Sequence, residues 1–354
     1  MVVCPVMSSF AIGVDLGGTN LRIAAVDADG NLLEKVTTGT QVGKGRDYVI
    51  GEMTDAINLL AKKFSAKMTL EGVGIGVPGI IDKRTGMLRE SPNLPGWDDY
   101  PVRDEIEKRL SAPVVLENDA KVAAFGEGWL GAARGYNEVC MITLGTGVGG
   151  GIVMGGRIWQ GMNGMAGEVG HLTVDPNGHP CKCGNIGCAE QYASATAIMR
   201  MARAEIDGGA AVELAKLAQG QNIEFSARAV FNLALQGDEA AQRVYDRVGW
   251  ALGILISDLV NILNLRMYVI GGGVSNGWQA FAPKMFEQLR KSSMVYAATA
   301  PPDECIPLGA AARVSSQQPP PYRTVVTRAL LGSDAGLYGA ARVPLARNHV
   351  GSAT

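Results

Sequence analysis

No stretch of this chain approaches the roughly 18 consecutive apolar residues of a membrane helix. The opening, MVVCPVMSSFAIGVD, carries neither a basic leader nor a clear cleavage site, so neither a membrane anchor nor a secretory signal is expected. An excess of one charge is also missing. The 32 Lys and Arg nearly balance the 34 Asp and Glu, and a net charge of −2 gives no general attraction to nucleic acid or an anionic membrane. Cysteine is scarce, at six residues, and Cys4, Cys140 and Cys305 stand isolated from one another. That excludes a disulfide framework and points to a reducing cytoplasm.

What is present fits a large folded protein. A length of 354 residues suggests two domains, and 47 % apolar against 19 % charged residues supports a sizeable core. Glycine is abundant, at 47 residues without a collagen period, which signals tight turns and close backbone approaches.

The first segment reads as strand, glycine turn, strand, Asp-Gly hairpin and strand, with apolar runs at 10–14, 21–26 and 32–36. Ile50, Met53, Ile57 and Leu60 then have helical spacing. LEGVGIGVPGII predicts a buried strand ending in a Pro-Gly turn, and LENDAKVAAFGEG a strand passing into a helix near Asn118. EVCMITLGTGVGGGIVMGGRIW repeats the opening pattern of strand, glycine turn and strand. Two such units, each followed by helices, imply a duplicated α/β fold with a cleft between the halves. Helical patterns fill 193–263, RMYVIGGGVSN is a buried strand ending in glycines, and 299–323 looks like an irregular insertion. A short closing helix begins at Ser333 or Asp334. The expected division is a small domain over 9–118 with the closing helix at about 333–347, and a large domain over 119–332.

Three glycine turns follow apolar runs: Asp15-Leu-Gly17-Gly18-Thr19-Asn20, Gly145-Thr146-Gly147 with the glycines after it, and Gly271-Gly272-Gly273. None has the Gly-Lys-Ser/Thr of a P-loop, and none opens a helix as a dinucleotide fingerprint would. Each alone can be a hairpin turn. Together, with the hydroxyls of Thr19 and Thr146, they suit nucleotide phosphates, because glycine exposes successive backbone N–H groups. Asp15 ends a strand where a carboxylate can either cap a turn or hold a magnesium-bound water. Asn118 and Asp119 can cap the following helix or reach a ligand. HPCKCGNIGCAEQ packs Cys181, Cys183 and Cys188 into eight residues, and with His171 or His179 they form a donor set for structural zinc.

GVDLGGTNLRIAAVD and ITLGTGVGGGIV resemble the two phosphate motifs of sugar kinases in the actin-like ATPase superfamily, and VIGGGVS resembles their adenosine motif. GEVGHLTVDPNGHPCKCGNIGCAEQYAS resembles the signature of the ROK family (repressors, open reading frames and kinases). The resemblance covers about 10–345 and implies a two-domain actin-like ATPase (ribonuclease H-like) fold. It implies an ATP-dependent hexokinase that phosphorylates the 6-hydroxyl of glucose, with N-acetylglucosamine or N-acetylmannosamine kinase as the alternative. Asp119 would then be the general base. Gly79, Asn93, Asn118, Asp119, Glu168, His171 and Glu190 would bind sugar, and Trp97 can stack on it or pack in the domain. Asp15, Gly17 to Asn20, Gly145 to Gly147 and Gly271 to Gly273 would hold magnesium-ATP. The family pattern selects His171, Cys181, Cys183 and Cys188 as the zinc ligands. A homodimer is usual in the family. Its repressors carry a DNA-binding module ahead of the sugar domain, for which the nine residues before the first strand leave no room.

Overall fold

Phe10, Ile12, Val14 and Leu16 alternate with Ala11 and Gly13, and the residues of both sets are buried. A strand built this way must be covered on both faces. The computed structural model describes residues 8–91, 93–209, 211–220, 224–301 and 322–348. Cys4, Cys305, Pro92 and most of the 299–323 segment lie outside the described residues.

The chain forms two compact units. The first holds the strands β1 (Ser9–Leu16), β2 (Asn20–Asp27), β3 (Leu32–Gly39), β4 (Thr69–Val77) and β7 (Val114–Asn118) in one sheet, ordered β3-β2-β1-β4-β7. β1 to β3 are antiparallel neighbours, while β4 and β7 run parallel to β1. A small hairpin of β5 (Ile80–Asp82) and β6 (Met87–Glu90) follows β4, and α2 (Val102–Glu107) leads into β7. Ile50, Met53, Ile57 and Leu60 of α1 (Arg46–Phe64) are buried in one core with Phe10, Ile12, Val14 and Leu16. Ala11, Ala24 and Val26 belong to the opposite core, with Leu337, Ala341 and Leu345 of α11 (Ala335–Asn348). The closing helix is therefore 14 residues long and completes the second face of the sheet.

Glycine decides how closely α11 approaches. Gly13 and Gly74 are cross-strand partners on β1 and β4. A Cβ on Gly13 would lie 2.3 Å from the Leu337 carbonyl oxygen, and one on Gly74 would lie 1.9 Å from that of Ala340. The same holds between α11 and α3 (Asp119–Leu130): a Cβ on Gly339 would lie 1.6 Å from the Val122 carbonyl oxygen.

A second sheet repeats the strand order. β8 (Val139–Leu144), β9 (Val148–Met154), β10 (Arg157–Ile158), β11 (Met267–Gly271) and β12 (Val325–Arg328) are ordered β10-β9-β8-β11-β12. As in the first sheet, the third, second, first, fourth and fifth strands lie side by side, which is the duplication the sequence implies. The helices of the second unit are α4 (Glu190–Ala193), α5 (Ala195–Asp207), α6 (Val212–Gln219), α7 (Ala227–Leu235), α8 (Glu239–Leu263), α9 (Trp278–Ser292) and α10 (Met294–Thr299). Gly249 and Gly253 let α8 meet the backbone of α9 at Phe281 and Met285. Among the described residues no helix is long and apolar enough to cross a membrane.

The units divide differently from the sequence expectation. The first comprises 1–137, 151–167 and 331–354, and the second 138–150 and 168–330. α3 therefore belongs with the first sheet rather than opening the second domain, because Gly126 and Gly339 lock it onto α11. Gly151 joins them by its own close approach: a Cβ there would lie 2.7 Å from the Ala120 carbonyl oxygen.

Gly339→Ala is expected to destabilise the protein by at least about 2 kcal/mol through overpacking against backbone. Gly43→Ala, where nothing lies within 4 Å of the added carbon, should stay within about 0.5 kcal/mol. Urea unfolding of both variants checks the pair, and equal midpoints would refute the close-packing account.

Candidate active site

In the first unit the site residues gather at the carboxyl ends of parallel strands, where ligands of open α/β sheets bind. Strand register aligns Asp15 of β1 with Gly76 of β4, and Gly76 with Glu117 of β7. Asn118 and Asp119 come immediately after Glu117. Arg22, the cross-strand partner of Asp15, donates to Asp15 Oδ2 at 2.9 Å. Burial nevertheless holds the Asp15 carboxyl above its ordinary range, against the lowering effect of Arg22.

The turn after Asp15 is closed by Gly17 N donating to Asn20 O at 2.9 Å and by Thr40 Oγ1 donating to Gly17 O at 2.6 Å. Thr19 and Asn20 stay exposed. Gly18 sits against the loop that carries Asn93, and a Cβ on it would lie 2.8 Å from the Asn93 carbonyl oxygen. The structure thus brings the first glycine turn and Asn93 together. The Asn93 side chain is exposed and makes no hydrogen bond among the described residues. Trp97, by contrast, is only 1 % exposed and meets Tyr100 edge-on at 6.4 Å, so it packs in the domain rather than facing a ligand.

Gly79 has a left-handed φ of +124°, and a Cβ there would lie 2.1 Å from the Glu90 carbonyl oxygen. Its own carbonyl accepts Asn118 Nδ2 at 3.2 Å. Asn118 is the N-cap of α3, with Oδ1 accepting from Ala120 N at 3.0 Å and Lys121 N at 3.2 Å. Asp119 Oδ1 accepts from Ala120 N at 2.8 Å, so the carboxylate sits on the first turn of α3, where the helix dipole favours negative charge. Sequence reading passed over Glu117. This side chain is 2 % exposed, receives Lys83 Nζ at 2.7 Å and Gln160 Nε2 at 2.6 Å, and accepts from Asn118 N at 3.1 Å. Its only sequence signal is a charged residue at the end of an apolar strand.

In the second unit, Gly145 to Gly147 follow β8 and Gly271 to Gly273 end β11, and these strands are parallel neighbours. Gly272, at φ +82°, would place a Cβ 2.4 Å from the Leu144 carbonyl oxygen, so the two glycine turns are in contact. The turn at 145–147 also leans on the start of α5. Ala195 N donates to Gly145 O at 2.8 Å and Thr196 Oγ1 to Thr146 O at 2.9 Å. A capped helix N-terminus beside a glycine turn is a ready anion site. Sequence reading missed this contribution, although Ser194 is a visible capping residue.

Glu190 is tied to the same turn. Its Oε2 accepts from Val148 N at 3.0 Å, and a Cβ on Gly147 would lie 2.4 Å from that oxygen. Glu168 is exposed just before the short turn Val169–His171, which Gly170 presses against the Val148 carbonyl.

His171, Cys181, Cys183 and Cys188 offer four ligand atoms that all lie within 4.8 Å of one another. His171 Nδ1 is 3.7 Å from Cys181 Sγ, and Cys183 Sγ is 3.7 Å from Cys188 Sγ. A tetrahedral zinc with Zn–S bonds of about 2.3 Å has ligand–ligand edges of about 3.8 Å. The donor set and its spacing therefore fit structural zinc, and burial pushes the Cys188 thiol up to about 12 while hydrogen bonding lowers that of Cys183. His179 is outside the cluster, with Nδ1 2.8 Å from Pro180 O.

Sequence and structure comparisons agree with this architecture. Residues 11–343 match the ROK family model. A glucokinase of Thermotoga maritima is 40 % identical over 285 residues, covering 80 % of this chain and 87 % of that protein. The crystal structure of a ROK hexokinase from Thermus thermophilus matches with a TM-score of 0.73 and 32 % identity, over 97 % of this chain and 99 % of that one. A Streptomyces griseus ROK glucokinase, crystallised with glucose and AMPPNP, matches with a TM-score of 0.72 and 31 % identity, over 95 % and 99 % of the two chains. With its twice-repeated strand order and its match across nearly the whole length, the chain has the actin-like ATPase fold of the sugar kinases and belongs to the ROK family.

Proposed function

We propose that the protein is a glucokinase, transferring the γ-phosphoryl group of ATP to the 6-hydroxyl of glucose. The observation that carries this reading is the alignment of Asp15 and the Asn118–Asp119 pair at the carboxyl ends of β1 and β7, the two strands that flank β4 in one sheet. One carboxylate is suited to the phosphate side of the reaction and the other to the alcohol.

Phosphoryl transfer asks little covalent chemistry of a protein and depends on positioning and charge stabilisation. Asp119 accepts the proton of the attacking hydroxyl as the bond to phosphorus forms. Asn118 has one amide hydrogen left after donating to Gly79 O, and it offers that hydrogen to a sugar oxygen. Asn93, Glu168, His171 and Glu190 are taken as the remaining sugar contacts. Magnesium-ATP is the donor, held by the glycine turns at 17–20, 145–147 and 271–273. Arg22 occupies Asp15 Oδ2, which leaves Oδ1 for a water on the cation. His171, Cys181, Cys183 and Cys188 would hold a structural zinc, which would supply fixed geometry rather than activate water. With one ring nitrogen of His171 engaged in the cluster, the other would meet a sugar hydroxyl, and Cys188 would be fixed two residues before Glu190. The reduced thiol cluster supports a cytoplasmic setting, and the family supports a homodimer as the working form.

A coupled ADP-release assay should show the highest kcat/KM for glucose when glucose, mannose, N-acetylglucosamine and N-acetylmannosamine are compared. A preference for an acetylated sugar would move the reading to the alternative kinase of the family. Asp119→Asn should lower kcat by about 10²–10⁴-fold while glucose binding, measured directly, changes little. Retention of a tenth of the wild-type kcat would remove Asp119 as the base. Metal analysis should find one zinc per chain, lost in Cys183→Ser. Chelation is expected to weaken glucose affinity while circular dichroism still reports folded helices; unchanged affinity in the zinc-free protein would refute a sugar-site role for the cluster.

A further inference from the structure

The second unit has a separate groove of about 510 Å³ between the loop Asp175–His179 and the helices α5 and α8. Three guanidinium groups line it: Arg200 from α5, and Arg243 and Arg247 from α8. Two of them are paired. Arg243 donates through Nε and Nη2 to Glu205 Oε2, at 3.1 and 2.7 Å, and Arg247 Nη2 donates to Asp175 Oδ2 at 2.9 Å. Arg200 is different. It donates through Nη2 to the Gln191 carbonyl, and no carboxylate pairs with it among the described residues. Burial also lowers its pKa from the ordinary value, the sign of a charge deprived of water without a counter-charge.

The groove is built rather than loose. Tyr192 OH donates to Asp175 Oδ2 at 3.1 Å and accepts from His179 N at 3.2 Å. Arg247 lies over the Trp250 ring at 3.9 Å. These contacts hold the loop and the α8 arginines in place before any ligand arrives. Asp238 and Glu239, at the start of α8, also act on Arg243, so the positive charge left without a carboxylate is that of Arg200, together with the unused donors of each planar fork.

We propose that this groove binds a phosphate monoester with a polar organic group of about hexose size. A monoester carries about −1.5 to −2 charges at neutral pH and three terminal oxygens. Guanidinium forks match such oxygens closely, which a single surface lysine does not. The volume exceeds the needs of inorganic phosphate, and the loop adds the polar side chain of Asn177 for the remainder of the ligand.

Glucose 6-phosphate is the probe, titrated calorimetrically into the full zinc-loaded chain with saturating glucose present so that the sugar site is occupied. Inorganic phosphate serves as a second probe. One site is expected under these conditions, with the ester binding more tightly than inorganic phosphate. Arg200→Gln keeps a donor for the Gln191 carbonyl and should weaken the ester by about tenfold or more. Ala204→Trp, at an exposed position of α5 that lines the groove, should block the site by bulk. Both variants should keep the wild-type kcat and KM for glucose in phosphate-free buffer. Binding that saturating glucose abolishes, binding that neither substitution changes, or no binding at millimolar ester would each overturn the proposal. Equal affinity for inorganic phosphate would overturn its organic part.

Discussion

Backbone-to-backbone contact through glycine is the constraint on which the first unit depends. A helix normally stands off a sheet by the length of its side chains. Here α11 lies on Gly13 and Gly74 and meets α3 at Gly339 and Gly126 with carbonyl oxygens where a Cβ would be. Four positions that look like weak helix or strand formers by propensity are thus the ones that no other residue can fill. α3 carries Asp119 on its first residue, so the candidate base inherits its placement from this packing. Glu127 reinforces it from the other end of α3, accepting from Ala132 N through one oxygen and from Leu331 N, just before α11, through the other.

The second unit reaches a similar rigidity by different means. Its glycine turns at 145–147 and 271–273 touch at Leu144 and Gly272, and the N-terminus of α5 and the carboxylate of Glu190 brace the first of them. The cysteine cluster sits one step further along the chain. Cys188 and Glu190 lie on either side of Ala189, whose N–H returns to Leu172 O, next to His171. A metal held by the cluster would therefore bear on the 145–147 turn through Glu190.

Much of this was legible in the sequence, for physical reasons. The strand-turn-strand repeat showed because apolar runs broken by glycine leave a strong pattern, and the helical spacing of Ile50, Met53, Ile57 and Leu60 matched one buried face of α1. The three thiols of the His171 cluster were visible because three cysteines in eight residues are rare, whereas the choice of His171 over His179 came only with the family resemblance. What stayed hidden depended on partners distant in sequence. The role of Gly339 requires Val122, and that of Gly147 requires Glu190. Glu117 is another case: its partners Lys83 and Gln160 come from separate segments, and nothing near it in the chain announces a buried carboxylate. The place of α3 followed the same logic, since a strand-to-helix junction looks like a domain boundary until the closing helix is seen to claim it.

At Asn118, capping leaves room for the proposed binding role. The sequence offered both, and an inventory of its amide resolves how they coexist. The oxygen is spent on the two N–H groups at the start of α3, and one amide hydrogen goes to the Gly79 carbonyl. One hydrogen is left, pointing from a side chain whose rotamer is already fixed by three hydrogen bonds. A ligand oxygen meeting that hydrogen orders nothing new, so the entropy of fixing the side chain has been met in folding rather than in binding. The cap would thereby preorganise such a contact. Replacing Asn118 by Asp would retain the cap and lose both donors, which separates the two roles within one residue.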